Sequence, residues 1–227
     1  MNLVIDERPR DMYYENLGLR DMIVLHTTTA YGAKGSQDWL RIATGRQLRT
    51  SNPYCLGVNY YVDRDGTVIR DIPESGWAYN TGSGKHNDSR SISIEIANLT
   101  VIRENGGTFF DIYGNTINTR KNKIYDNGAY WRGYRYYECF PDAQVDALIE
   151  LVDDILDRNP SIPRIVPTIE NFFPADAIPF LKRRSIKGIT CHTHFIGPPN
   201  KQDMPKSFKP HYNKFVSGCG LVASNLY

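Results

Sequence analysis

Residues 56–72 read LGVNYYVDRDGTVIRDI and contain the clearest local signal in the chain. Leu56 to Val62 and Thr67 to Ile72 are rich in the β-branched, aromatic and aliphatic residues that are typical of strands. Between them lies Asp63-Arg64-Asp65-Gly66, whose Asp-Gly pair tolerates the positive φ of a tight turn. The stretch therefore predicts a β-hairpin, and with it an antiparallel pair within any sheet that the chain builds.

Two further strands are predicted on either side of this hairpin. Met22 to Thr27 is a short apolar and β-branched run that predicts a buried strand carrying His26 near its end. In Ser91 to Asn98 the isoleucines fall on one face, while the serines, the alanine and Glu95 fall on the other. The isoleucine face is predicted to point into the core, which leaves Glu95 among small side chains with room for a ligand.

Helical patterns alternate with these strands. Gly35 to Arg46 predicts a short amphipathic helix, and Asp142 to Arg158 carries apolar residues at a clear helical period. Ile186 to Phe195 predicts the last strand of the core. Because strands and helices interleave around one sheet, we expect residues 1–227 to form a single α/β domain, with a central mixed sheet flanked by helices.

Between Leu99 and Phe140 the composition shifts toward Asn, Gly, Tyr and Arg. Thr108 to Tyr113 and Thr116 to Arg120 predict a second hairpin around Gly114-Asn115. An irregular, Tyr-rich insert of about forty residues exceeds the usual loop length, and such inserts are often functional flaps. We therefore expect the insert at about 99–140 to be an arm, and neither a core element nor a separate domain.

Composition limits the functional classes. The chain has 227 residues, 41% of them hydrophobic and 23% charged, as in an ordinary globular protein. A net charge of +2 gives no electrostatic basis for binding nucleic acid. No apolar run approaches the ~18 to 20 residues of a membrane span. We therefore expect a monomer that binds neither nucleic acid nor membrane.

The N-terminus and the cysteines bear on the compartment. Met1 to Arg10 has no apolar core of the kind found in secretory signals. We expect synthesis in a cytoplasm, with action on a cell wall after lysis or delivery left open. The four cysteines show no C-x-x-C spacing, so reduced thiols are expected, and a Cys191 to Cys219 disulfide is the alternative.

Histidines and a carboxylate near the predicted strand ends suggest a metal site. His26 ends the first buried strand, His192 and His194 are expected to share one face of the last strand, and Asp203 follows a Gly-Pro-Pro loop. Only one of the later two histidines needs to bind. Two imidazoles and a carboxylate suit a catalytic zinc ion, which keeps its fourth position for water. The alternative is that these histidines are separate hydrogen-bonding side chains.

Four blocks of the sequence are similar, in order, to motifs of one family. The family motifs are a strand ending in His followed by Thr or Ser, a G-Y-H/N-F-x-V-x-x-D-G-x-V hairpin, an S-I-G-I-E strand, and a G-H-x-D … K-x-D/C-P-G ending. The matching blocks are Ile23 to Ala30, Gly57 to Val68, Ser91 to Asn98 and Thr190 to Phe208. The chain thus resembles the zinc-dependent N-acetylmuramoyl-L-alanine amidases, which share a fold with peptidoglycan recognition proteins and phage lysozyme-type amidases.

The resemblance implies a site and an activity. Position by position it implies one zinc ion held by His26, His192 and Asp203, with Glu95 as the acid/base and Lys201 polarising the scissile carbonyl. The implied reaction is hydrolysis of the amide bond between the muramic acid lactyl group and L-alanine of peptidoglycan or muropeptides. The alternative is a module of the same fold that recognises peptidoglycan fragments without cutting them, although such relatives typically lose a zinc ligand.

Substrate contacts are expected beside the metal. The candidates follow the hairpin or belong to the second metal-binding segment and are Trp77, Tyr79, Asn80, His86 and His194. The insert adds the aromatic candidates Tyr125, Tyr130, Trp131, Tyr134, Tyr136 and Tyr137. The chain also departs from the family pattern. Val58 replaces a tyrosine that is catalytic in some relatives, so that role either falls to Glu95 or is lost. His194 replaces an aspartate that is often found there, so an orienting carboxylate is either missing or supplied elsewhere.

Overall fold

The computed structural model describes residues 1–15, 18–30, 32–51, 53–197 and 203–225. Over these residues the strands are β1 (Asn2–Ile5), β2 (Tyr14–Glu15), β3 (Met22–Thr27), β4 (Tyr60–Val62), β5 (Thr67–Arg70), β6 (Gly76–Trp77), β7 (Ser91–Ile96), β8 (Val101–Asn105), β9 (Thr108–Phe110), β10 (Ile124–Trp131), β11 (Tyr134–Glu138), β12 (Ile165–Pro167), β13 (Gly188–Cys191) and β14 (Val222–Ser224). The α-helices over the same residues are α1 (Ala33–Gln47), α2 (Lys85–Ser89), α3 (Asp142–Arg158), α4 (Ile169–Phe172), α5 (Phe180–Arg183) and α6 (Tyr212–Gly218). Short 3₁₀ helices cover Arg10–Met12, His192–His194 and Lys206–His211.

The central sheet has six strands in the order β1-β5-β4-β7-β3-β13. Strands β4 and β5 form the predicted hairpin, in which Tyr60 pairs with Arg70 and Val62 with Val68. The other neighbouring strands run parallel. The sheet is therefore mixed, as the sequence predicts.

Side-chain alternation divides the sheet into two different faces. On β3 and β7, Ile23, Leu25 and the isoleucines of 92–96 pack into the main core against α3 and α6. The opposite face of β4 and β7 carries Tyr61 and the smaller residues, and α1 packs there through Ala33 and Leu40. Helices thus cover both faces, which confirms the predicted α/β class. The bounds of α3 are those predicted from its strong period.

The insert is a folded second sheet, so the prediction of an irregular arm is wrong. Its strands lie in the order β10-β11-β8-β9, and Trp131 and Tyr137 are buried in the main core. The predicted hairpin at 108–120 is reduced to one bridge between Phe110 and Thr116, and β9 pairs along its other edge with β8. The Tyr137 ring can be buried because its hydroxyl donates hydrogen bonds to the carbonyls of Trp131 and Tyr134.

The last core strand is shorter than predicted. Strand β13 ends at Cys191, and His192–His194 form a 3₁₀ turn. The backbone N–H of Thr193 donates to the carbonyl of Asp203 at 3.0 Å and so cannot serve a strand ladder. His192 and His194 therefore do not share a strand face, which corrects the expectation from sequence.

Two predictions about composition can also be compared with the structure. The four cysteines are free thiols, so the alternative Cys191–Cys219 disulfide is not formed. Within the described ranges, none of the helices has the length and apolar character needed to cross a bilayer.

Candidate metal centre

Three neighbouring parallel strands bring the candidate residues to one edge of the sheet. In the β3–β7 ladder His26 lies opposite Glu95. In the β3–β13 ladder Cys191 lies opposite Leu25, so His192, the next residue, emerges beside His26. The carboxyl ends of parallel strands are where open α/β sheets bind ligands. Strand register alone therefore places two imidazoles and a carboxylate together.

The donor atoms of three buried side chains converge. His26 Nδ1 lies 2.9 Å from His192 Nδ1. His192 Nδ1 in turn lies 3.1 Å from Asp203 Oδ2. The three residues are 2%, 4% and 4% exposed, respectively. His26, His192 and Asp203 form a group whose ligand atoms all lie within 4.8 Å of one another, close enough to share a metal ion.

The chemistry of this donor set fits zinc. Imidazole nitrogens and a carboxylate oxygen bind zinc at about 2.0 to 2.2 Å, which puts tetrahedral ligands about 3.3 Å apart. The 2.9 and 3.1 Å separations lie close to that value. Two facing neutral imidazole nitrogens can share only one proton, whereas both can donate a lone pair to a cation. Three protein ligands also leave one position open, as in catalytic zinc sites.

A hydroxyl group holds the other oxygen of the candidate carboxylate ligand. Thr27 Oγ1 donates a hydrogen bond to Asp203 Oδ1 at 2.7 Å. Thr27 directly follows His26 on β3, so one strand end supplies both a candidate ligand and a group that orients a second ligand. Asp203 Oδ2 is the oxygen that faces His192.

Glu95 and Lys201 were the predicted catalytic residues. Glu95 is partly exposed and lines the same cavity as His26 and His192. Val58, which stands in the place of the family tyrosine, lines that cavity as well. Lys201 lies outside the described residues, so its role stays a prediction.

Comparison with known sequences decides the family. A sequence model described as N-acetylmuramoyl-L-alanine amidase matches residues 18–203. The chain belongs to this amidase family. Membership of this family supports the assignment of the chain as an amide hydrolase that acts on peptidoglycan. Among curated proteins, sequence comparison finds no match.

Several solved structures have a similar fold. PlyL is 14% identical, with a TM-score of 0.51 and coverage of 99% of both chains. The Staphylococcus aureus hydrolase AmiA is 11% identical, with a TM-score of 0.55 and coverage of 96% of this chain and 82% of that one. The E. coli amidase AmiD is 19% identical, with a TM-score of 0.51 and coverage of 95% of this chain and 62% of that one. At these identities the likeness shows the fold.

In this amidase-family chain, two adjoining cavities meet at the candidate metal ligands. One has a volume of about 560 Å³ and the other about 690 Å³, within the range of ligand sites. Both are lined by Leu56, Tyr79, Asn80 and His192. A groove thus passes His192 on two sides, and we call these cavities the two arms of the groove.

The predicted substrate residues of the loop after the hairpin have different positions. Tyr79 and Asn80 line both arms of the groove. Trp77 is buried behind Tyr79, with its ring stacked on Tyr14 at 4.5 Å between centroids. His86 is exposed on α2 and is not among the described residues that line either arm. The substrate roles of these residues stay predictions.

Asp88 fixes the Asn80 loop. Its carboxylate is fully buried and accepts hydrogen bonds from the backbone N–H groups of Thr81, at 2.8 Å, and Asn80, at 3.3 Å. Burial raises the pKa of Asp88, although the bonds from Thr81 and Asn80 and the nearby His192 act in the opposite direction. The groove wall beside His192 is therefore held by an internal carboxylate.

His194 is a structural residue, which corrects its prediction as a substrate contact. Its ring has no solvent exposure. Nδ1 lies 2.6 Å from Thr190 Oγ1 and 3.0 Å from the backbone nitrogen of Cys191, and Nε2 lies 2.8 Å from the carbonyl oxygen of Asn171. Burial lowers the pKa of His194 to about 4. The neutral ring holds the turn that presents His192 and cannot reach substrate.

Residues at the rim of the groove were not predicted. Trp39 on α1 and Tyr113 in the insert line the larger arm and are 62% and 71% exposed. The sequence suggested Trp39 only as an apolar residue of an amphipathic helix. A large aromatic side chain that stays exposed marks a binding surface, but exposure requires the tertiary structure to be known.

Proposed function

We propose that this chain is a zinc-dependent N-acetylmuramoyl-L-alanine amidase. The proposed reaction is hydrolysis of the amide bond between the lactyl group of muramic acid and L-alanine of the stem peptide. The observation that carries the proposal is the convergence of His26 Nδ1, His192 Nδ1 and Asp203 Oδ2 in a groove that Glu95 also lines. The family assignment supports the class of bond.

His26, His192 and Asp203 would hold the ion. The chemistry supplied by zinc in such a site is Lewis-acid polarisation of a carbonyl and a lowered pKa of water, to about 7. Thr27 keeps one oxygen of Asp203 engaged and leaves the other facing the histidines.

Glu95 is the proposed proton carrier. It lies across from His26 in the β3–β7 ladder, where neighbouring strands are about 4.8 Å apart. Its carboxylate would accept a proton from the attacking water and deliver it to the leaving amine. Such positioned proton transfer typically accelerates a reaction by ~10² to 10⁴-fold. Lys201 is proposed from the family motif to face the developing oxyanion.

The two arms of the groove suit a substrate with two parts. Hydrolysis places the scissile amide at the ion, so the muramic acid and the stem peptide must extend in opposite directions from it. AmiD has been solved with anhydro-N-acetylmuramic acid-L-Ala-D-gamma-Glu-L-Lys. We propose that peptidoglycan or its soluble muropeptides occupy the groove here, with Tyr79 and Asn80 at the junction of its arms.

The proposal is tested by incubating purified protein with muropeptides and identifying the products by mass spectrometry. We expect release of the intact stem peptide, which stops on chelation and resumes when zinc is added. Cleavage within the peptide or between sugars, or binding without cleavage, would contradict the proposed reaction. Comparing intact sacculi with soluble anhydro-muropeptides then identifies the preferred form of the substrate.

A further inference from the structure

A buried chain of hydroxyl groups connects the insert to a candidate metal ligand. Thr100 Oγ1 donates to Thr27 Oγ1 at 2.8 Å, and Thr27 Oγ1 donates to Asp203 Oδ1 at 2.7 Å. All three residues are at most 4% exposed. The Thr27 hydroxyl accepts from Thr100 and donates to Asp203, so the position of Thr100 helps to set the direction in which Thr27 donates.

Thr100 is held in an unusual conformation. Its φ is 67°, in the left-handed region that β-branched residues rarely adopt. The turn around it is fixed from several sides, since the N–H of Thr100 donates to Asn98 Oδ1 and the N–H of Leu99 donates to Glu138 Oε2, both at 2.7 Å. Glu138 also pairs with Arg64 at 3.0 Å. Strain at a residue that the surroundings hold so firmly is a sign of function.

A second contact joins the insert to the turn that carries His192. Arg132, at the tip of the β10–β11 hairpin, is 9% exposed. Its guanidinium donates to the carbonyls of Thr193, Ile196 and Pro174 at 3.2, 3.2 and 3.1 Å. The N–H of Thr193 in turn donates to the carbonyl of Asp203. Arg132 therefore fastens the segment in which the two later candidate ligands meet.

We propose that the insert, residues 99–140, positions the metal ligands at two points. Thr100 orients the Asp203 carboxylate through Thr27, and Arg132 holds the turn of His192. Both are positioning residues, because they act through other groups. The proposal rests on the proposed function only in taking the bound ion to be zinc. Removing a group that orients a metal ligand typically weakens metal binding about 10- to 100-fold, and we expect an effect of this size here.

Zinc affinity tests the proposal without any assay of activity. The dissociation constant of zinc is measured for the full chain by competition with a chromophoric chelator. Thr100→Val removes the hydroxyl at nearly constant shape, and Thr100→Ser restores it. Arg132→Gln removes the guanidinium. The matched controls lie in the same insert. They are Thr108→Val, at an exposed position of β9, and Arg135→Gln, whose side chain is 39% exposed and pairs with Asp126.

We expect Thr100→Val and Arg132→Gln each to weaken zinc binding by about 10-fold or more. Thr100→Ser and both controls should stay within about twofold of the unmodified chain. Equal affinities in all variants would overturn the inference while leaving the proposed function intact. Failure of the unmodified chain to bind zinc would instead contradict the proposed function. Circular dichroism checks folding, and if Thr100→Val or Arg132→Gln unfolds, Thr100→Ala or Arg132→Lys replaces it with the same expectation.

Discussion

At the scale of single residues, Glu95 is the one carboxylate among the described residues that line the groove, and it lies on the strand next to that of His26. Its partial exposure separates it from the buried ligands, as expected of a group that exchanges protons with water.

We predict that Glu95→Gln abolishes turnover and leaves zinc bound. The amide cannot accept a proton at neutral pH, so a loss of at least ~10²-fold in kcat is expected. Glu150→Gln, on the exposed side of α3, is the matched control and should retain full activity. Initial rates with muropeptides and the zinc content of each variant provide the measurement. An active Glu95→Gln protein would remove Glu95 from the mechanism.

Trp39 and Tyr113 form the exposed aromatic rim of the larger arm. We predict that Trp39→Ala and Tyr113→Ala each raise KM about 3- to 10-fold with a smaller effect on kcat, because they remove binding surface away from the reacting bond. Ile42→Ala on α1 and Tyr130→Ala in the insert are the controls, since these side chains are 55% and 78% exposed but do not line the described groove. Equal KM values in all four variants would show that the rim does not contact substrate.

At the scale of secondary-structure elements, Glu74 joins the end of the hairpin to the end of α3. Its carboxylate accepts hydrogen bonds from Tyr60 on β4 and Arg158 on α3, both at 2.6 Å, and from Asn159 at 2.8 Å. Burial alone would raise the pKa of Glu74, but these three bonds outweigh it and keep the pKa below its usual 4.5. The ionised form therefore stabilises the folded state.

We predict that Glu74→Gln lowers the free energy of unfolding by about 2 kcal/mol at pH 7. A carboxyl whose pKa is lower in the folded state stabilises above its unfolded pKa, and that contribution is lost as the pH falls through the folded value. The difference between the two proteins should therefore shrink below pH 4.5. Urea unfolding from pH 7 to pH 3 measures it, with exposed Glu170→Gln as the control. A constant difference over that range would contradict the assigned role.

Some of the secondary-structure elements could be predicted from the sequence and others could not. The bounds of β3 and α3 agree with the prediction, because a continuous buried run and a strong helical period are local signals. The end of β13 could not be predicted, since it depends on the Thr193–Asp203 hydrogen bond. The insert was misjudged because its Asn- and Gly-rich composition and its length suggested irregular structure, whereas its tyrosine rings can be buried once a carbonyl accepts the hydroxyl.

At the scale of the whole molecule, the candidate site closes a very long loop. His26 and His192 are 166 positions apart in the chain, and their nitrogens lie 2.9 Å apart. An ion that binds this arrangement binds the folded state, because an unfolded chain rarely brings the ligands together.

We predict that removing the metal lowers the melting temperature. At an ion concentration of about 1,000 times the dissociation constant, binding adds about 4 kcal/mol, which corresponds to ~10 °C for a chain of this size. Differential scanning calorimetry with chelator and after adding zinc gives the shift. Asp203→Asn should show a much smaller response to zinc. Identical melting curves for the unmodified protein in both conditions would argue against a bound ion.

By itself, the sequence determined the α/β class, the β4–β5 hairpin, the identity of the candidate ligands and the position of Glu95, because periodicity, turn residues and family motifs are written along the chain. Only the tertiary structure decided that His194 is buried, that Trp39 and Tyr113 border the groove, and that the insert reaches the ligands through Thr100 and Arg132. These properties depend on which remote segments pack together, and contacts across such distances leave no pattern in neighbouring residues.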